Sequence, residues 1–171
     1  MRTLIGLMLV GVWCYSMPGA AADGSHGPLG LRIGVGAPVD NKVRDWTDIT
    51  VVQGLSWFLN HKSGSSLMSA IDIDTQIHAK SSTSGRATGI SYTLRQVTHD
   101  DGRYKSYTGG GLGLFRTSVD SGTGTTHARL HLGGKAILGR MDAHGRFIEA
   151  AYTYTGSSAS NGLGASFGIR F

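Results

Sequence analysis

Cysteine and glutamate are scarce in this 171-residue chain, and long apolar runs are missing from most of it. The one cysteine, Cys14, lies near the amino terminus, so the rest of the chain can form no disulfide. This excludes a small disulfide-stapled secreted domain. Beyond residue 22 there is no run of about 18 apolar residues, so the sequence predicts no transmembrane helix. The single glutamate, Glu149, argues against the charged exterior that soluble barrels usually carry.

Charge of one sign is not concentrated anywhere in the chain. The 16 basic and 11 acidic residues are scattered, so we expect no nucleic-acid partner. The glycine-rich segment at 109–113 lacks the following helix and acidic residue that a nucleotide-binding loop needs. On a strand, His127 and His131 would lie about 13 Å apart, too far to ligate one metal ion together. We therefore expect no cofactor and no metal.

The first 22 residues have the three-part layout of a secretory signal peptide. Arg2 gives a positive start, residues 4–15 form an apolar core, and residues 18–22 supply small side chains for cleavage. We place the cut after Ala22. A short periplasmic segment is then expected at 23–28, followed by one domain at 29–171.

Apolar side chains alternate with small or polar ones along residues 29–171, most clearly at the carboxyl end. In the last nine residues, Leu163, Ala165, Phe167, Ile169 and Phe171 are apolar at every second position. A period of two indicates a β-strand with one apolar face, and about nine residues suffice for a tilted strand to cross a bilayer. The pattern predicts eight strands, at 29–38, 49–59, 67–80, 87–97, 104–116, 127–140, 147–155 and 163–171.

The connections between these strands alternate in length, which predicts an all-β fold, an eight-stranded up-and-down antiparallel transmembrane β-barrel. Connections after the second, fourth and sixth strands are tight turns. Those at 38–48 and 117–126 are longer, as extracellular loops of outer-membrane barrels are. We expect these loops to form the contact surface for an unidentified extracellular ligand, with Trp46 as a candidate contact.

The polar faces of the strands carry both signs of charge. A charge on the lipid-facing surface costs about 2–4 kcal/mol at the bilayer midplane, so the polar faces are predicted to line the interior. We expect a charge network that plugs a narrow lumen, so the sequence does not predict a general porin. Its predicted members are Arg32, Asp72, Asp74, Arg95, Lys135, Glu149 and Arg170.

Aromatic residues on the apolar faces lie towards strand ends, as the interfacial girdles of membrane barrels do. The predicted girdle consists of Trp57, Tyr104, Tyr152 and Tyr154.

Four segments together resemble the small OmpA-like and OmpX-like barrel domains of the bacterial outer membrane. They are KSYTGGGLGLFR, HLGGKAILGR, RFIEAAYTYTG and the terminal GLGASFGIRF. The resemblance implies location in the outer membrane of a Gram-negative cell, among its lipids and lipopolysaccharide. It also implies that the assembly machinery recognises the last strand by strand addition, reading Phe167, Ile169 and Phe171. It implies no enzymatic residues and no specific ligand.

We interpret the protein as a structural or surface-interaction barrel that is not an enzyme. Three alternatives stay open from the sequence. A lipid A-modifying hydrolase or acyltransferase could use His78, Ser91 and Glu149, although no local motif joins them. A small channel would depend on Arg32, Asp72 and Glu149. A lipocalin-like soluble barrel would turn the apolar faces inward and bind a small apolar ligand.

Overall fold

Eight antiparallel strands close into one barrel in the computed structural model, which describes residues 26–39, 50–59, 65–80, 83–120, 126–156 and 161–171. Each strand pairs with its neighbours in sequence, and the first pairs with the last. This confirms the predicted fold class. Among the described residues, no helix is long and apolar enough to cross a membrane. The strands are β1 Leu29–Pro38, β2 Thr50–Phe58, β3 Leu67–Lys80, β4 Thr83–Asp100, β5 Tyr104–Asp120, β6 Thr126–Asp142, β7 Arg146–Thr155 and β8 Gly162–Arg170.

The barrel is apolar outside and polar inside. Leu112, Leu130 and Leu132 are each about 70% exposed, whereas Arg95 and Glu149 are among the largest fully buried side chains. The alternation of each strand therefore directs its apolar positions outward, where only an apolar medium would satisfy them. The lipocalin-like alternative required the opposite arrangement and is wrong for this structure.

The three central strands are longer than the sequence pattern predicted. The predicted loop at 117–126 is shorter than expected, because β5 continues to Asp120 and β6 begins at Thr126. Likewise, β4 begins at Thr83, before the predicted start of this strand at residue 87. Hydrogen bonding between strands needs no apolar side chains, so pairing continues past the end of the apolar alternation. Thr117 pairs with Arg129, and Ser118 pairs with Ala128.

The described turns, between β4 and β5 and between β6 and β7, lie at the end of the barrel that also holds the described termini. Gly102 and Gly145 adopt φ angles of 79° and 77°, which glycine reaches without a Cβ clash. In the β4–β5 turn, the amides of Tyr104 and Arg103 donate to the Asp101 carboxylate at 2.6 and 2.9 Å. These hydrogen bonds hold the pKa of Asp101 below its ordinary value. At this turn, sequence and structure agree.

Inward glycines on β5 let it pack closely on β4. A Cβ atom added at Gly109, Gly111 or Gly113 would overlap a carbonyl oxygen of β4. For Gly111 that oxygen belongs to Tyr92. The backbone cannot move aside as a flexible side chain could. The close packing of β5 on β4 therefore requires residues without a side chain at these three positions.

We predict that Gly111→Ala lowers the free energy of unfolding by about 1–3 kcal/mol, the usual cost of overpacking. Gly134→Ala is the matched control, because an added Cβ there meets its nearest atom at an ordinary 3.7 Å. The control should stay within about 0.5 kcal/mol of the parent. Urea titration of the refolded barrel, followed by its gel-mobility shift, measures both. Equal midpoints for the two variants would contradict the packing argument.

Candidate functional site

Six charged side chains meet in the middle of the barrel. They come from five strands and lie at inward positions of the alternation: Arg32 on β1, Asp72 and Asp74 on β3, Arg95 on β4, Lys135 on β6 and Glu149 on β7. None of the six is more than 7% exposed. We call these six residues the charge network.

Asp72 is the centre of the charge network. Its carboxylate accepts from Arg95 at 2.9 Å and from Arg32 at 3.3 Å. The hydroxyls of Ser56 and Thr93 donate to it at 2.6 and 2.9 Å. Both carboxylate oxygens are therefore satisfied in a site where Asp72 is completely buried.

The two other carboxylates complete the charge balance. Asp74 accepts from Lys135 at 2.8 Å and also pairs with Arg32. Glu149 pairs with Arg95 at 3.3 Å and lies 3.8 Å from Arg32. Three cations thus face three carboxylates, so the network is electroneutral and each buried charge has a partner of opposite sign.

An apolar layer, which the sequence did not predict, lies on the turn side of the charge network. Tyr107 links the two levels, because its hydroxyl donates to Glu149 at 3.2 Å. Phe58 and Phe147 occupy inward positions on β2 and β7, where the alternation predicts polar side chains. This break in the alternation was the signal in the sequence that could have indicated the layer. The layer consists of Phe58, Met68, Tyr107, Ile137, Met141 and Phe147.

Arg170 was predicted in the charge network, but the structure places it elsewhere. Its Nε donates to the backbone oxygen of Gly27 at 2.9 Å, and its guanidinium lies 4.4 Å from the centre of the Phe58 ring. Among the described residues, no carboxylate is within ion-pair distance of it. The reason is its position at the end of β8, at the level of Phe58 in the apolar layer.

A small cavity with both polar and apolar side chains in its wall lies on the loop side of the charge network. Its volume is about 30 Å³, which holds about one water molecule and is far below the size of a ligand pocket. Thr50 and His78 lie in its wall, with 2.6 Å between the threonine Oγ1 and the histidine Nδ1. The cavity is therefore a place for water and not for an organic ligand.

The residues of the enzymatic alternative do not come together. Ser91 pairs in register with Asp72, and His78 lies six residues further along β3, roughly 20 Å away. Glu149 is held by Arg95 and Tyr107. All three face the interior, which lipids outside the barrel do not reach. In the part of the chain that the structure describes, no group of three His, Cys, Asp or Glu residues could hold a metal ion.

The predicted girdle residues lie at both ends of the exterior. Trp57 is 55% exposed at the turn end, and Tyr154 is 60% exposed at the loop end, two residues beyond the exposed Tyr152. Tyr104 is half-buried at the turn end, under Arg140 at 4.2 Å from its ring centre.

The carboxyl-terminal positions also face outward. Phe167 is 53% exposed, and Ile169 and Phe171 follow on the same face of β8. Phe171 closes the barrel through backbone hydrogen bonds with Leu29 at 2.9 and 3.3 Å. Their reading by the assembly machinery stays a prediction. Trp46 lies outside the described residues.

Three solved structures with the same architecture are outer-membrane barrels. The outer membrane enzyme PagL matches 83% of this chain and 99% of its own, at 14% identity and a TM-score of 0.62. Neisserial surface protein A (NspA) matches 84% and 95%, at 18% identity and 0.56. The N-terminal barrel domain of Pseudomonas aeruginosa OprF matches 85% and 99%, at 11% identity and 0.51.

These likenesses concern the fold. No protein-family model matches the sequence, and no curated protein is similar enough in sequence to count as a relative. The fold is that of the small eight-stranded outer-membrane barrels, as the resemblance in the sequence implied, and the apolar exterior agrees with that location.

We predict that Asp72→Asn lowers the free energy of unfolding by about 3–5 kcal/mol, because it leaves buried cations without their central partner. The control, Asp100→Asn, removes the carboxylate of an exposed pair with Lys105 and should cause no measurable change. Urea midpoints of the refolded barrels measure both. An Asp72→Asn barrel as stable as the parent would show that the network does not stabilise the fold.

Proposed function

We propose that this barrel, held in the outer membrane, is a closed scaffold that presents its loops at the cell surface and neither conducts solutes nor catalyses a reaction. The charge network carries the proposal. Six mutually paired side chains fill the middle of the lumen, and the apolar layer fills it again on the turn side. An eight-stranded barrel has an interior just wide enough for side chains, so two filled levels leave no path for ions.

The electroneutrality of the charge network is a further reason against a channel. A selective pore needs a ring of unbalanced charge or free polar groups along a wetted path. Here each carboxylate is bound by cations at hydrogen-bond distance, as Asp72 is by Arg32 and Arg95. Moving an ion past them would require breaking buried pairs.

The separation of His78 from Ser91 is the reason against the enzymatic alternative. A hydrolase that acts on a membrane lipid needs its nucleophile and base together on a surface that the lipid contacts. In this barrel the hydroxyl of Ser91 and the ring of His78 lie at different levels of the interior. Binding through loops held on a rigid barrel is the role that these observations support.

The proposal assigns the loop end to the cell exterior, since short turns lie on the periplasmic side in barrels of this kind. A surface ligand would then meet the connections after β1, β3, β5 and β7. Lipids and lipopolysaccharide surround the exterior, and the assembly machinery acts before the barrel closes.

We predict that the purified barrel, inserted in a planar lipid bilayer, shows no sustained single-channel conductance. The apolar layer should keep the charge-neutral double variant Arg95→Ser/Glu149→Ser silent as well, because Phe58 and Phe147 still fill the turn side. A known porin in the same bilayers is the positive control. Reproducible conductance steps from the parent protein would refute the closed-barrel proposal.

We also predict the orientation of the barrel from cysteine labelling. Since Cys14 is the only cysteine and lies in the predicted signal peptide, Trp46→Cys introduces a single thiol into the exported chain. A membrane-impermeant maleimide should label it in intact cells. Arg103→Cys, in the exposed β4–β5 turn, should react only after the outer membrane is permeabilised. The opposite labelling pattern would show that the loop end faces the periplasm, and it would rule out the proposed surface role.

A further inference from the structure

Two arginines lie on the outward face of the barrel near its loop end. Arg86 on β4 and Arg116 on β5 are both exposed. Arg86 pairs in register with Ser118, and Arg116 pairs with Thr88, so the two arginines are diagonal neighbours on adjacent strands. Such neighbours are about 7–8 Å apart at the backbone, which lets two long side chains converge on one group.

Hydrogen-bonding side chains continue from this pair across the sheet. In register, Arg116 is followed by Thr88, Thr75 and Gln53 on β4, β3 and β2. The hydroxyls of Thr75 and Thr88 lie 3.3 Å apart. At the same loop-side edge on β6, β7 and β8, the exterior instead carries Leu130, Tyr154 and Leu163, all well exposed. Because the strands are tilted, the register row that begins at Arg116 descends towards the turn end, so of its three further side chains Thr88 lies nearest the level of the arginines.

The height of Arg116 places it at the membrane surface. Arg140, at the turn-side edge, pairs in register with Ser106, which lies ten residues from Arg116 along β5. Ten residues at about 3.3 Å each, on a strand tilted by about 40°, rise about 25 Å along the barrel axis. This matches the apolar band of outer-membrane barrels, which is about 25 Å tall. Arg116 and Arg140 thus mark opposite edges of the band.

The arginines at the two edges of the apolar band differ in their contacts. Arg140 lies over the Tyr104 ring. Among the side chains that the structure describes, no carboxylate is within ion-pair distance of Arg86 or Arg116. Two adjacent guanidiniums at the level of the lipid headgroups form a site that suits an anion from the membrane, such as a phosphate.

We propose that Arg86 and Arg116 together bind the phosphate of a phosphorylated glycolipid in the outer leaflet. The guanidiniums donate to the phosphate oxygens, the hydroxyl of Thr88 opposite Arg116 is a further donor, and the acyl chains follow the apolar surface of Ile90 and Leu114 below. This inference rests on the outer-membrane location in the proposed function.

The test uses the full barrel in detergent micelles, titrated with lipid A that carries both phosphates and followed by native mass spectrometry. Arg86→Gln and Arg116→Gln should each weaken binding about fivefold, and the double variant about 25-fold, from the usual contribution of a basic residue at an anionic surface. Dephosphorylated lipid A should bind the parent as weakly as it binds the double variant. The control, Arg146→Gln, removes an exposed arginine that already pairs with Asp142 at 2.7 Å and should change binding less than about twofold.

Three results would overturn the inference: unchanged binding by the double variant, equal binding of the dephosphorylated lipid, or an equal loss in Arg146→Gln. The heat-dependent gel shift shows whether each variant is folded. Should the double glutamine variant not fold, Arg86→Lys/Arg116→Lys replaces it, and loss of the bidentate geometry should still weaken binding. Failure of the inference is separate from failure of the proposed function, because conductance and cysteine labelling of the parent do not depend on these arginines.

Discussion

The ion pairing around Asp72 is the interaction on which the rest of the barrel depends. Side chains from strands far apart in sequence meet there, and Lys135 reaches Asp74 across 61 positions of the chain. A one-residue slip in register would turn a network member such as Arg95 towards lipid and an apolar residue inward. Since a charge at the bilayer midplane costs about 2–4 kcal/mol, the network fixes the register of the strands that contribute to it.

Filling the lumen is a consequence of having only eight strands. The polar faces point inward, and the narrow interior leaves little water to solvate them, so every buried charge must find a protein partner. Phe58 of the apolar layer contacts the charge network, because the guanidinium of Arg95 lies 5.5 Å from the centre of its ring. The same packing that stabilises the barrel also closes it.

The sequence predicted the architecture well because the two-residue alternation states which face of each strand is apolar, and turn residues such as Gly102 mark the hairpins. It also predicted the six charged residues that meet in the lumen, because charged side chains on the polar faces of the strands point into the barrel. It failed for Arg170, because the alternation gives the face of a residue but not its height. Height depends on the stagger between strands, which places Arg170 at the level of Phe58 and away from the charge network.

The ends of the central strands escaped the sequence analysis for a related reason. Apolar alternation reports contact with lipid, whereas strand pairing continues wherever backbone partners exist, as it does from Thr117 to Asp120. The residue at which the apolar alternation stops therefore marks the level of the membrane surface and not the end of the strand. On β5 that residue is Arg116, which is the next outward position after Leu114. A break in the pattern that looks like a loop boundary in the sequence is, in the folded barrel, the level at which lipid headgroups meet the protein.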